Sequence, residues 1–476
     1  MLRSLALFRP QALSNRFWQG GGLVATLVVS LVVGNLLLPR EQSVGREMLG
    51  HDFLAFYTAG TLAREGSWQQ LYDLKFFEKF QHELGSQYDL EMGGGFGPYW
   101  NPPVFAWVFA PLSALEYPHA LVAWVGLNLL CAAGACVILC RWIATAAHPW
   151  PVFSPTAPGG FVPPWRFWLL VPFLMVLSMP FIQALSHGQN SMLSLLLLAG
   201  TVAGWRAGRA FGAGVVCGLL FYKPQLAAIV ALMLVLTMGW RALAGVLLSG
   251  AGLLAVQELS MPGSTRLYLQ QLPLNLAVMQ VESTYLWERH VTLKAFWRLL
   301  WQGRGPGELS LPTLIAWAAT GSLLLLGLLA ALRNTWAARV DDAFGGHTRA
   351  IQRDRLIAAS IASMPLLMPF YFDYDLLLLA IPLTLFASER LRRANEPMHP
   401  HDRLLMLIAA GLYLWLMVNP GLARDAQINV TVLAILAMAG LLLARACRDS
   451  TLVEPQPVGQ PVPRLAHLPA PRRMAA

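Results

Sequence analysis

Ala120-Leu121-Val122-Ala123-Trp124-Val125-Gly126-Leu127-Asn128-Leu129-Leu130-Cys131-Ala132-Ala133-Gly134-Ala135-Cys136-Val137-Ile138-Leu139-Cys140 carries no charge and only one polar amide. It fills the roughly 17 to 25 apolar residues that a helix needs to cross a bilayer. Comparable runs recur on both sides of it, and the chain is 56% apolar but only 12% charged. An ordinary soluble domain carries about a quarter charged residues. In lipid, backbone polar groups must be satisfied within the segment, which favours helices. The expected fold class is therefore all-α: a polytopic transmembrane helical bundle of about twelve crossings. Such a chain leaves no room for a large soluble domain.

The formal net charge of +9 sits in short arginine clusters between apolar runs. That pattern orients a membrane protein by the positive-inside rule and does not form the continuous basic face a nucleic acid would need. Of the five cysteines, Cys131, Cys136, Cys140 and Cys217 lie inside apolar runs and Cys447 stands near the end. None makes a CxxC pair, so they read as packing residues.

Arg3, Arg9 and Arg16 precede an apolar run at 22–38, which reads as an uncleaved first span with residues 1–21 in the cytoplasm. Residues 39–101 then form the first extracytoplasmic loop. It contains His51-Asp52-Phe53-Leu54-Ala55-Phe56-Tyr57-Thr58-Ala59-Gly60, whose aromatic residues fall at helical spacing. We expect an interfacial helix there, half buried in headgroups. A second amphipathic piece follows at 73–84, with Leu74, Phe77 and Phe80 opposite Lys75, Glu78, Lys79 and Glu83.

Two topologies fit residues 102–240. In one, 102–115 is re-entrant and Arg141, Arg166, Arg206, Arg209 and Arg241 are all cytoplasmic. In the other, 102–115 crosses, 211–239 is one broken helix, and four of those arginines lie outside. The charge rule favours the first. Beyond Arg241 the schemes agree, with a second outer loop at 260–310, a single transmembrane domain over 22–445, and a Pro- and Arg-rich cytoplasmic tail at 446–476.

Ionisable groups are expensive at a membrane and tend to mark sites. On the favoured topology the outer face collects Asp52, Gln189, Asn190, Lys223, Gln225, Glu282, Arg289, His290, Asp373 and Asp375. No GxGxxG at a strand-helix turn, P-loop, GxSxG or HExxH competes with them. Each also has a plain structural reading. Asp52 precedes a helix, where an Asp caps free amides; its functional reading is a general base that takes a proton from an acceptor hydroxyl while a sugar leaves a phosphate. Asn190 reads first as a cap for the helix at Ser191. Lys223 either snorkels to headgroups or contacts the phosphate of a lipid-linked donor. Asp373 and Asp375 flank Tyr374 in a turn. Their spacing suits a divalent ion, but two carboxylates are too few to establish one, so no metal or other cofactor is assigned.

The chain resembles the polyprenol-phosphate-sugar-dependent glycosyltransferases of family 87. The resemblance rests on Asp52-Phe53 with Tyr57-x-Ala59-Gly60, Leu71-Tyr72-Asp73, Asn101-Pro102-Pro103 before Ala110-Pro111-Leu112, Gly188-Gln189-Asn190, Lys223-Pro224-Gln225, and the aromatic-acidic turn near Asp373. It spans roughly 20–390 and implies a GT-C fold with an acidic catalytic residue in the first extracytoplasmic loop, here Asp52. It also implies a lipid-phosphate sugar donor, often of mannose. The mannosyltransferase members carry a His-rich turn where this chain has Phe372-Asp373-Tyr374-Asp375.

The reading that results is a hexosyltransferase at the outer face of the cytoplasmic membrane. Its partners are a polyprenyl-phosphate sugar, a lipid or glycan acceptor and membrane lipid. Asp52 is the base, and Lys223 or Arg289 neutralises the departing phosphate. Tyr57, Tyr72, Gln189, Asn190, Gln225, Glu282, His290, Asp373 and Asp375 complete the candidate substrate-binding set. The rival from another class is a transporter or lipid flippase, which would place its ionisable residues near the bilayer midplane.

Overall fold

In the computed structural model the opening stretch lies inside a 31-residue helix, Tyr117–Ala147. The structure describes residues 50–88, 90, 96–147, 165–340, 346–393 and 396–448. The expected first span, the cytoplasmic N-terminus, the glycine run at 93–95 and nearly all of the C-terminal tail lie outside them.

The described residues are helical, with one isolated bridge between His290 and Phe372 in place of any strand. The helices that position the site are α1 (His51–Arg64), α2 (Tyr117–Ala147), α3 (Met179–Ser186), α4 (Ser191–Arg206), α5 (Pro224–Met238), α6 (Trp240–Ser260), α7 (Leu311–Val340), α8 (Gly346–Leu367), α9 (Ala380–Arg392) and α10 (Val430–Ala446). Most of the buried apolar side chains, from Phe53 to Ala446, belong to one core.

Among the described residues three helices are long and apolar enough to cross a membrane: α2, α6 and α7. A fourth is available if α3 and the preceding helix Trp165–Val176, bent by 60° at their junction, act as one span. That is fewer clear spans than the twelve crossings expected. The difference comes from helices such as α4, α5 and α10, apolar but only 10–17 residues long. The long helices turn large leucines outward, among them Leu247, Leu248, Leu323 and Leu326. Water would not tolerate such continuous apolar faces on a soluble monomer, and hydrocarbon does. These helices have the length and composition of membrane spans.

Small residues bring α6 against the neighbouring helix Ala210–Gly218. A Cβ on Gly214 would sit 2.1 Å from the Ala242 carbonyl oxygen, and one on Gly245 2.2 Å from that of Phe211. Only glycine lets the two backbones approach so closely.

α1 is not the half-buried interfacial helix expected. Every residue from Phe53 to Ala63 is buried. The 102–115 segment covers it in short turns (Pro103–Phe105, Ala106–Phe109 and Leu112–Ala114). Phe56 stacks on Phe109 at 4.8 Å, and Phe53 packs between Phe109, Tyr117 and Trp124. The aromatic spacing that suggested one wet and one greasy face is explained by burial on all sides. The second helix, Leu74–Gln87, is amphipathic as expected; it buries Phe77, Gln81 and Gly85, and Asp73 caps it by accepting from the Phe76 amide at 3.1 Å.

Candidate active site

α3 ends at Ser186 in a left-handed turn on Gly188, with φ of +69°. The Gln189 amide donates to the Ala184 carbonyl at 2.8 Å and the Gly188 amide to Leu185 at 3.1 Å. This pair of bonds is a Schellman motif, which needs a residue tolerant of positive φ. It turns the chain so that His187 and Gln189 point to the start of α1, while Asn190 opens α4.

The start of α1 docks onto that turn. The Asp52 and Phe53 amides both donate to the His187 carbonyl at 3.1 Å, and the Gly50 amide donates to Ser186 at 2.7 Å. The orphan amides that an Asp side chain would cap are thus satisfied from elsewhere. The cap position belongs to Gly50, which has no side chain. Asp52 is left free for other partners. Its Oδ2 accepts from Gln189 Nε2 at 2.8 Å and lies 3.1 Å from His187 Nδ1. Among the described residues its Oδ1 has His51 Nδ1 as its neighbour, at 3.9 Å. Burial pushes the Asp52 carboxyl up, but the hydrogen bonds and charge of the neighbouring histidines and the Gln189 amide outweigh it and hold the group well below the ordinary carboxylate range.

Asp373 and Asp375 begin a 3₁₀ run, Asp373–Leu379, and are buried. Each is paired with a cation. Arg289 forks onto Asp373 at 3.0 and 3.3 Å, and Gln183 Nε2 reaches the same carboxylate at 3.4 Å. Lys223 Nζ lies 2.7 and 2.8 Å from the two oxygens of Asp375, which also accepts from Ser191 Oγ at 2.7 Å. Lys223 spends its third donor on Asn190 Oδ1 at 3.2 Å. So Asn190 stands at the cap position of α4 without capping it. The snorkelling alternative for Lys223 fails for the same reason, since its ammonium is held inside. Between the two ion pairs, the Tyr374 ring has Lys223 5.4 Å and Arg289 5.9 Å from its centroid.

Gln183 and His187 stand one helical turn apart on α3, so a single face of that helix reaches both Asp373 and Asp52. Burial lowers the Arg289 guanidinium pKa, but the charges of Asp373 and Asp52 raise it further, leaving it firmly protonated. Among the described residues the result is a cluster of three carboxylates, two cations and two imidazoles.

Of the residues expected from sequence, Asp52, Gln189, Asn190, Lys223, Arg289, Asp373 and Asp375 converge. His290 is adjacent but sits behind them: its Nε2 is 2.8 Å from the Tyr285 hydroxyl and its ring packs 4.0 Å from Phe372. Burial, with the Lys294 and Arg289 charges, pushes it down to about 3, so it is a neutral support. Tyr72 connects at second remove. It donates to the Asn101 carbonyl at 2.7 Å, and Asn101 donates to the carbonyl of Tyr222, beside Lys223, at 3.0 Å. Tyr57 instead holds the Leu115 carbonyl at 2.8 Å. Gln225 is half-buried and Glu282 is exposed. Gln183, Ser191 and Tyr374 were not singled out in the sequence; the four-residue spacing of Gln183 and His187 was the available signal.

The Gly188 turn gives a direct test of this construction. A Cβ there would lie 2.6 Å from Phe53 Cβ, in a backbone region that L side chains avoid. Gly188→Ala is expected to cost at least about 1–2 kcal/mol, lowering the thermal unfolding midpoint and transfer together. A variant as stable and active as wild type would show that the turn does not hold α1 in place.

The model of glycosyltransferase family 87 matches residues 99–369, more than half of the chain. No curated protein and no solved structure matches it. The match takes in Gln183, His187, Lys223 and Arg289, while Asp52 precedes it and Asp373 and Asp375 follow it. With that match over more than half of a chain whose described residues are helical, the protein belongs to glycosyltransferase family 87 and is a glycosyltransferase.

Proposed function

We propose that the protein moves a hexose, mannose being the first to try, from a polyprenyl-phosphate donor to a lipid or glycan acceptor at the outer face of the cytoplasmic membrane, within a GT-C-like fold. The observation that carries the reading is the asymmetry of Asp52. Oδ2 is held by Gln189 and His187, while Oδ1 has His51 Nδ1 at 3.9 Å as its neighbour among the described residues, on a side chain that keeps 28% of its exposure. That oxygen is free to accept the proton of an acceptor hydroxyl.

In the proposed step the acceptor oxygen attacks the anomeric carbon as its proton passes to Asp52 Oδ1. The bond from that carbon to the phosphate oxygen breaks, and its electron pair leaves with the polyprenyl phosphate, giving inversion. The leaving group gains negative charge and needs donors. Lys223 has all three of its donors engaged. Arg289 uses only Nε and Nη2 on Asp373, and a guanidinium has five N–H donors. We therefore assign the phosphate to Arg289, with Lys223 holding Asp375 and Asn190 in place.

The test is transfer by purified protein in lipid, offered a polyprenyl-phosphate hexose or the corresponding nucleotide sugar. Product from the lipid-phosphate donor alone is expected. Product from the nucleotide sugar alone would remove the donor assignment.

A further inference from the structure

α4 runs away from the site, α8 runs toward it, and α9 leaves it from the end of the Asp373–Leu379 turn. At about 1.5 Å per residue, the 16 residues of α4 span about 24 Å and the part of α8 from Asp354 to Leu367 about 20 Å, most of the roughly 30 Å hydrocarbon thickness of a bilayer. At their far ends is a second charged cluster that the transfer reaction does not use.

There Arg206, Arg353, Arg355, Arg390, Arg393 and Arg445 meet three buried carboxylates, Asp354, Glu389 and Asp402. Glu389 alone takes Arg355 at 2.7 Å and Arg445 at 2.9 Å, with Arg393 at 3.8 Å. Arg390 has a long contact to Asp402, at 3.7 Å, and its Nη2 donates to the Arg393 and Glu396 carbonyls at 3.3 Å, while Arg393 Nη1 has the Glu396 carboxylate at 3.6 Å. Among the described residues, Arg390 Nε and Arg393 Nε and Nη2 are buried with no hydrogen-bond acceptor. Arg392 adds another cation; burial and repulsion from Arg206 hold it below its ordinary value. A surplus of half-buried guanidiniums with unfilled donors is costly unless an anion joins it. The cavity between Glu389, Arg355 and Arg445 is about 10 Å³, room for a water and no more, so the anion must sit at the rim formed by Arg390 and Arg393.

We propose that this rim binds a phosphate oxyanion, that of an anionic phospholipid headgroup in the leaflet at that end of the bundle. Planar guanidiniums match a phosphate in forked pairs, and the rim lies at the end of these helices opposite the transfer site. This inference is independent of the donor and base assigned above.

The test is thermal unfolding of the full chain, followed by tryptophan fluorescence. It compares nanodiscs of phosphatidylcholine with nanodiscs containing phosphatidylglycerol, and adds inorganic phosphate to protein in neutral detergent. Wild type should be stabilised by phosphatidylglycerol. The double variant Arg390→Gln/Arg393→Gln should lose that gain, with apparent lipid affinity down about tenfold or more. Arg390→Lys/Arg393→Lys, which keeps the charge and guards against loss of folding, should weaken affinity several-fold. Arg209→Gln, an exposed arginine at the same end, should change nothing. Stabilisation by inorganic phosphate that depends on the same two arginines would support the oxyanion site and make free phosphate its source. Equal stability in both lipids with no phosphate effect, or equal loss in Arg209→Gln, would overturn the site.

Discussion

Asp52→Asn is expected to lower transfer by about 10²- to 10⁴-fold, the usual contribution of a positioned general base, while donor binding changes little. Asn keeps the shape of the side chain, and Gln189 can still donate to its carbonyl oxygen, so the α1 start should stay docked on the His187 carbonyl. What is lost is the free carboxylate oxygen. The pH profile gives the second arm. A carboxyl held below its ordinary value stays ionised, and available as a base, down through the ordinary carboxylate pKa of about 4. Activity should therefore be level from neutral into mild acid and fall only as pH drops through the depressed value. The stability that the His187 and Gln189 contacts confer is lost in the same direction, because below that pH the folded state must protonate Asp52. So weak a base implies a late proton transfer, after the forming bond has made the hydroxyl acidic. Transfer by Asp52→Asn at an undiminished rate, or a rate that titrates near neutrality and survives the substitution, would remove the assignment.

The helical membrane class was legible in composition and in runs such as 120–140, because long apolar stretches have one solution in lipid. The site was legible as a set of polar residues at the boundaries of such runs, and seven of the expected residues do meet. Their pairing was not legible. Nothing in Lys223-Pro224-Gln225 says that its cation will meet Asp375, since the pairing depends on how α4, α5 and the 373–379 turn pack. The cap reading of Asp52 was reasonable by spacing and fails because a distant carbonyl, that of His187, reaches the amides first. Nor was it legible that the Tyr57 hydroxyl, placed with the substrate-binding set, donates to the Leu115 carbonyl. The count of crossings exceeded the clear spans because several apolar helices end early. The placement of charge bears on the rival transporter reading as well. The ionisable groups gather at the ends of α4 and α9 and in the first half of α8, and the stretches between these two groups are apolar.

Lys223→Met should be the most damaging change to stability. It leaves Asp375, with only 2% of its side chain exposed, holding Ser191 as its one remaining side-chain donor among the described residues. Removing one member of a buried pair typically costs about 3–5 kcal/mol, because the other charge stays behind without compensation. It also frees Asn190 from its contact at the head of α4. Lys223→Met/Asp375→Leu removes both charges and should recover most of the loss, since a buried pair replaced by apolar groups is often neutral. The two substitutions should thus be strongly non-additive, by more than about 1 kcal/mol in a double-mutant cycle of unfolding midpoints. Transfer separates the pair's two roles. If Lys223 acts only by ordering Asp375, Asn190 and through them the Tyr374 turn, the double variant regains stability without regaining the rate, because Tyr374 is then no longer held between two cations. Additive effects on stability would mean that the two side chains do not depend on each other. Recovery of both stability and rate would mean that the turn is held by packing alone and that the charges at Lys223 and Asp375 have no part in transfer.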